Sequence, residues 1–230
     1  MHCVDMRQAV GIIGDFIDAR TPHLVITLGV EMVMNAQVDA GFRDITQQAH
    51  LLTPDSIGVV WAARRQGHDC QRVPGIEMLS ELAAEGTRRG WRLFFLGGKP
   101  GVADEAAARL QTRFPGLQVA GTADGYFKDE AAMIARVRDS KADILLAAMG
   151  SPRQETWCWK HRDALGVPVS IGVGGSFDVL AGTVKRAPRW MQRCHLEWLY
   201  RLLSNPSRAG RMLALPRFVC KVLLSGNARD

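Results

Sequence analysis

The chain has 230 residues, 47% of them hydrophobic and 23% charged, proportions that exclude wholesale disorder and a collagen-like repeat. Its net charge of +6 is unevenly divided: residues 185–230 hold ten Lys/Arg against two acids, and the 184 before them hold nineteen against twenty-one. The near-balanced body argues against an extended nucleic-acid footprint, whereas the basic tail, interleaved with Trp190, Trp198, Tyr200 and Phe218, suits an anionic or membrane-borne partner.

This split predicts an α/β catalytic domain over 1–184 and a basic, amphipathic helical appendage over 185–230. The amino-terminal stretch carries Asp5, Arg7, Asp15 and Asp18 among its apolar residues, which is not the pattern of a secretion signal. No uncharged apolar run reaches the roughly 18–20 residues that cross a bilayer. The expectation is a cytoplasmic chain that at most lies on the inner face of the membrane. Five scattered cysteines without a Cys-x-x-Cys pair predict reduced thiols and no zinc ribbon. Cys158, between Trp157 and Trp159, reads as a small buried hydrophobe. His68 and Cys70 have no second pair to complete a metal shell.

Along the chain, the apolar runs 24–30, 93–96, 144–149 and 167–173 are short and end at Gly or a polar residue, as suits strands buried on both faces of a parallel sheet. Between them, helical patterns cover 31–49, 76–89, 102–114, 130–140 and 153–165. Val33, Met34, Val38, Phe42 and Ile45 mark the apolar face of the first. The alternation predicts a doubly wound, Rossmann-like, mostly parallel sheet with helices on both faces, whose ligands bind beyond the carboxyl ends of the strands. Beyond Ala187-Pro188 the pattern is purely helical. Leu196, Leu199, Tyr200 and Leu203 form one stripe, and Leu215, Phe218, Val219, Val222 and Leu223 a second, with Asn205-Pro206 between them. Either stripe packs on the body or meets a membrane.

Three predicted strand ends carry glycines that let backbone N–H groups approach a phosphate: Gly97-Gly98-Lys99-Pro100-Gly101, Gly150-Ser151-Pro152-Arg153-Gln154-Glu155, and Gly172-Val173-Gly174-Gly175-Ser176-Phe177-Asp178. Each alone is equally a tight strand-to-helix turn; together they describe a cleft for a phosphorylated small molecule. In the second loop Ser151, Pro152 and Glu155 have the marks of a helix start, leaving Arg153 and Gln154 to hold a sugar or phosphate. Asp55, in Thr53-Pro54-Asp55-Ser56-Ile57-Gly58, is either a helix N-cap or a general base toward a sugar hydroxyl. No Asp-x-Asp occurs in the chain, so leaving-group charge falls to Arg, Lys and backbone N–H groups.

Arg72-Val73-Pro74-Gly75, Phe95-Leu96-Gly97-Gly98, Asp124-Gly125-Tyr126-Phe127, Ala148-Met149-Gly150-Ser151-Pro152-Arg153-Gln154-Glu155, Val173-Gly174-Gly175-Ser176-Phe177-Asp178, Lys185-Arg186-Ala187-Pro188 and Leu196-Glu197-Trp198-Leu199-Tyr200-Arg201 occur in that order. Over roughly residues 23–220 the chain resembles the WecG/TagA/CpsF glycosyltransferase family. The resemblance implies a metal-independent, inverting enzyme of cell-surface polysaccharide synthesis. It would move N-acetylmannosamine, its uronic acid or glucose from a UDP-sugar to a polyprenyl-diphosphate-linked saccharide. Catalytic roles are implied for Asp55, Thr27 and Gln154. UDP-sugar contacts fall on Gly97, Gly98, Gly125, Tyr126, Gly150, Arg153, Gly174, Gly175 and Asp178. Contacts to the lipid diphosphate or acceptor fall on Arg72, Arg186, Arg201, Arg208 and Arg211. No cofactor or metal is expected, and the UDP-sugar is a substrate. The partners implied are that donor, the lipid-linked acceptor and the cytoplasmic membrane surface, with no nucleic acid; a homo-oligomer is left open. Thr27-Leu28-Gly29 departs from the family's frequent Thr-x-Asn, and Ser56 stands where Gly is common. A nicotinamide-dependent oxidoreductase is the rival enzymatic reading, but no Gly-x-Gly-x-x-Gly follows the first strand. A basic adaptor for anionic lipid or nucleic acid is the non-enzymatic one.

Overall fold

The computed structural model describes residues 1–194, 196–204 and 214–226. In chain order, α1 (Met6–Ala19) leads into β1 (His23–Leu28), followed by α2 (Val30–Ala36), α3 (Ala40–Gln48) and β2 (Leu51–Pro54). Two helices, α4 (Ile57–Arg65) and α5 (Gly75–Arg89), reach β3 (Arg92–Gly97), and α6 (Val102–Arg113) connects it to β4 (Gln118–Ala123). Then come α7 (Glu130–Asp139), β5 (Ile144–Ala148), α8 (Arg153–Leu165), β6 (Val169–Gly172) and α9 (Ser176–Leu180). The appendage contributes α10 (Arg189–Arg193), α11 (Glu197–Ser204) and α12 (Ala214–Gly226).

The six strands form one sheet in the order β2-β1-β6-β5-β3-β4, and every neighbouring pair is parallel. Successive side chains of a strand point to opposite faces, and here both faces are apolar. Val25, Leu93, Phe95, Ile144 and Leu146 join the core under α1, α5, α6 and α9. Their neighbours Leu24, Ile26, Phe94, Leu96 and Leu145 join the core under α2, α3, α4, α7 and α8. Helices after β3 and β6 therefore cover one face, and those after β1 and β5 the other. The chain diverges at the carboxyl ends of the β3/β5, β5/β6 and β6/β1 pairs, leaving crevices where such sheets bind ligands.

Local chemistry explains where the elements differ from the sequence pattern. The single helix expected over 31–49 is two, because the Asp39 carboxylate accepts from the Phe42 N–H at 2.9 Å and starts a new helix. Asp5 and Gln8 cap each other's backbone N–H groups at the head of α1, a helix that charges among its apolar residues had obscured. The expectation of five reduced thiols is also corrected. Cys3 and Cys70 form a disulfide spanning 67 residues, which fastens the amino terminus to the loop before α5; Cys158, Cys194 and Cys220 are free.

The two stripes of the appendage behave differently from each other and within themselves. In α12, Phe218 is buried in the same core as Leu24, Ile26 and Phe42, and Leu215 and Val222 pack against that core, while Val219, Leu223 and Leu224 are exposed. Lys221 donates to Gln37 beyond the end of α2. Trp190, Trp198 and Leu203 also face outward. Among the described residues no helix is long and apolar enough to cross a membrane.

Candidate active site

Asp55 follows β2, and its own N–H donates to the Leu28 carbonyl at the end of β1. The N-cap of the adjacent α4 is Ser56. The Asp55 carboxylate reaches across to accept the Gly75 N–H at 2.9 Å, the first N–H of α5. Thr27 lies close on the other side of this glycine, since a Cβ on Gly75 would stand 3.0 Å from Thr27 Oγ1, a tight contact that the hydroxyl would have to relieve. Thr27, on β1, donates to the Gly172 carbonyl of β6 at 3.4 Å. Gly172 in turn is covered by Gln154 and Glu155, and its absent Cβ would sit 2.5 Å from Gln154 Nε2 and 2.6 Å from Glu155 Oε1. Asp55, Thr27 and Gln154, separated by up to 127 positions in the sequence, thus form one continuous row through Gly75 and Gly172. The buried hydroxyls of Thr53 and Ser56 flank Asp55 without a hydrogen-bond partner among the described residues.

Gln154 is buried, and its amide is committed. Oε1 accepts from Gly150 N–H at 3.1 Å and Gly174 N–H at 3.2 Å, and Nε2 donates to Glu155 Oε1 at 2.6 Å. The side chain therefore ties the loop after β5 to the loop after β6. On the other side of β5, Gly98 donates to the Ala148 carbonyl at 2.9 Å, and Gly125 donates to the Gly98 carbonyl at 3.0 Å. Gly97, Gly98, Gly125, Gly150 and Gly174 consequently line one edge of the sheet, with Gly175 capping α9.

Tyr126 projects from this edge, 65% exposed, its N–H held by Asp124 Oδ1. Arg153 is exposed at the start of α8, with its guanidinium 5.8 Å from the Phe127 ring. Tyr126 adjoins Gly125 and Arg153 follows Gly150 by three residues, and both are of kinds that stack on a base or meet a phosphate. Asp178 has a different local task, its carbonyl accepting the Val184 N–H and the Thr183 hydroxyl, each at 3.0 Å, to close the turn after α9.

Arg72 and Arg186 are not isolated cations. Arg72 meets Glu197 at 3.0 Å, and Arg186 meets Glu197 at 3.2 Å and Glu77 at 2.7 Å. Burial pushes the Glu197 carboxyl up, but the two guanidiniums outweigh it and hold that carboxyl below its ordinary range. This cluster docks α11 beside the head of α5, two residues from the Gly75 that holds Asp55. A groove of about 410 Å³ opens next to it, between Arg72, Arg113 and Arg186, with Ile76, Val179 and Leu180 as its apolar lining. Arg201 lies on α11; Arg208 and Arg211 lie outside the described residues.

Sequence reasoning missed the contacts of the acids Glu77, Glu155 and Glu197 and of Gly75, and it read Gly172 as a glycine open to a ligand, whereas Gln154 and Glu155 cover it. Gly75 and Gly172 adopt ordinary negative-φ backbone, so neither sits in a turn that betrays it. Glu155 carried the pattern of a helix-start acid, yet it is only 1% exposed.

The six-stranded parallel sheet, with helices on both faces and glycine loops beyond the carboxyl ends of its strands, defines a protein of the Rossmann-like α/β class. The chain belongs to the WecG/TagA/CpsF family of glycosyl transferases, whose family model matches residues 1–229, and it is a glycosyltransferase. It is similar to the N-acetylglucosaminyldiphosphoundecaprenol N-acetyl-beta-D-mannosaminyltransferase of Bacillus spizizenii (strain W23), 36% identical over 209 residues, 90% of this chain and 81% of the relative. A protein of the same description from Bacillus subtilis (strain 168) is 34% identical over 209 residues, 90% of this chain and 82% of the relative.

Proposed function

We propose that the protein transfers N-acetylmannosamine from its UDP-activated form to an N-acetylglucosaminyl-diphospho-polyprenol, with inversion and without a metal, at the inner face of the cytoplasmic membrane. The observation that carries this reading is the Asp55 carboxylate, anchored by the head of α5 and aligned with Thr27 and the Gln154 loops. The relatives' printed acceptor and product linkage supply the sugars.

In this mechanism Asp55 takes the proton of the acceptor hydroxyl as its oxygen attacks the anomeric carbon. UDP departs from the opposite face, and the linkage is inverted. The Gly75 N–H fixes the rotamer of the carboxylate, so its orientation costs nothing at the moment of reaction. Thr27 orients the sugar, and the N–H groups at Gly97, Gly98, Gly125, Gly150, Gly174 and Gly175 line the nucleotide's path. Arg153 and Tyr126 flank the nucleotide. The tail arginines, with Arg72 and Arg186, neutralise diphosphate on the carrier or on departing UDP.

The test combines a panel of UDP-sugars with a lipid-diphosphate N-acetylglucosamine acceptor, with and without chelator, and reads product mass and anomeric configuration. UDP-N-acetylmannosamine is expected to give a β-linked product, and chelator to leave the rate unchanged. Asp55→Asn should bind UDP-sugar normally while turnover falls about 10²- to 10⁴-fold, the usual contribution of a general base. Wild-type turnover by that variant removes the base assignment, and a chelator-dependent rate removes metal independence.

A further inference from the structure

We propose that Glu155 is a positioning residue of the transfer site: it fixes which way the Gln154 amide faces, and thereby lets one oxygen gather the N–H groups of the loops after β5 and β6. What the loops hold rests on the transfer reading above; how they are held does not.

A glutamine amide has a donor end and an acceptor end of almost identical shape, and rotation by half a turn exchanges them. At Gln154 the exchange matters, because two N–H groups from loops 24 residues apart, Gly150 and Gly174, converge on one end. With the oxygen there, both are satisfied. With the NH2 there, four N–H hydrogens face one another and the loops lose their common anchor. The other end holds the same orientation, since Glu155 Oε1 lies 2.6 Å from Gln154 Nε2 and accepts from it, and reversing the amide would break this bond as well.

Both side chains are nearly sealed from water, Gln154 at 3% and Glu155 at 1% exposure. They lie against Gly172, whose missing side chain is what admits them and whose carbonyl accepts from Thr27. The amide orientation is therefore coupled to the row that includes Thr27 and Asp55. A helix-start role alone does not account for Glu155. An acid that only complements the dipole does so from solvent, whereas this one is buried, with Oε2 lacking a hydrogen-bond partner among the described residues. Burial raises its carboxyl above the ordinary range, against the opposing pull of the Gln154 amide, its own backbone N–H and the nearby Ser151 hydroxyl. An acid buried in this place is explained by what its neighbour must do, because Oε1 accepts from Gln154 Nε2 whether or not Oε2 carries a proton.

The experiment uses the full chain labelled with ¹⁵N-glycine, comparing wild type, Glu155→Gln and the exchange variant Gln154→Glu/Glu155→Gln. Glu155→Gln keeps size and shape but offers an amide that can pair with either end of Gln154. The expected result is displacement and loss of exchange protection for the Gly150 and Gly174 amides, with other glycines unmoved. The KM for UDP-sugar should rise about 10- to 100-fold, as for other groups that orient a site from behind, while the acceptor KM holds. In the exchange variant the carboxylate at 154 presents oxygen in either rotation and the amide at 155 donates to it, so both resonances and the donor KM should return toward wild type. Unmoved glycine amides in Glu155→Gln, no recovery in the exchange variant, or amide shifts without a change in donor KM would each overturn the proposal. Failure of the wild-type chain to transfer any sugar would instead sink the transfer reading, because the amide resonances report the hydrogen bonds without turnover.

Discussion

Glycines of the site differ in why they are glycines, and substitution separates the reasons. Gly97 has φ +135°, and a Cβ there would be driven into the Ala148 backbone carbonyl, which cannot move without breaking the β3/β5 pairing. Gly150 has φ +81° but open space around the missing Cβ. Gly150→Ala should therefore cost only the left-handed backbone penalty of about 1–2 kcal/mol. Gly97→Ala adds a backbone clash to strain that is itself worth about 1–3 kcal/mol, so it should be the more destabilising of the two. Thermal unfolding of the two variants checks the order, and equal losses would show that the β3/β5 junction is looser than described. The glycines at strand ends were legible in the sequence because runs such as Gly97-Gly98 and Gly174-Gly175 interrupt apolar segments. Gly75 was not, because its close neighbour is Thr27, 48 positions away, and Gly172, though it was read as a strand-end glycine, is covered by Gln154, a side chain 18 positions away. Distance in sequence also hid the partner of Asp55. Its local pattern reads as a cap for the next helix, and the structure shows it serving the helix after that.

Among the elements, central strands declared themselves and peripheral ones did not. β1, β3, β5 and β6 are apolar on both faces and gave unbroken runs. β2 has four residues and ends in proline, and the edge strand β4, Gln118–Ala123, is polar, half-exposed and interrupted by Gly121. An edge strand covered on fewer sides needs less apolar character and leaves a fainter pattern. The docking of α11 was equally hidden, since it depends on Glu197 meeting Arg72 and Arg186 from distant segments. The folded carboxyl of Glu197 lies below its ordinary value of 4.5. Its contribution is therefore complete above that value and is lost as pH falls through the lower folded value. Partial exposure screens the cluster, so the expected worth is modest, about 1 kcal/mol. Trp198, next to Glu197 and 41% exposed, is the natural reporter. Its local environment should change only on acidification below about pH 4.5 in the wild type, and already at neutral pH in Glu197→Gln. Site-selective quenching of Trp198 measures this, and an unchanged profile in the variant would show that the four-residue cluster does not hold α11.

For the whole molecule, the division between a near-neutral body and a strongly basic tail was plain in the charge distribution, but charge does not say which tail residues return to the core. The stripe on α12 uses Phe218 to complete the layer formed by α2 and α4, and it turns Leu224 outward at 72% exposure, as Trp190 is turned at 61%. One helix thus serves two surfaces, and mutations should sort by surface. Removing a buried aromatic side chain costs about 3–5 kcal/mol. At about 2–4 °C per kcal/mol for a chain of this size, Phe218→Ala should lower the melting temperature by roughly 6 °C or more. Leu224→Ala and Trp190→Ala, at exposed positions, should stay within about 0.5 kcal/mol of wild type. If the outward residues meet the membrane, the order reverses when co-sedimentation with anionic phospholipid vesicles is measured. There Trp190→Ala and Leu224→Ala should weaken binding, because each withdraws apolar surface that would enter the interface beside the basic side chains. Phe218→Ala should bind as wild type at temperatures where it remains folded. A Phe218 variant that keeps its melting temperature but loses the vesicles would place α12 on the membrane by the face described here as core, and the body would then have to close without it.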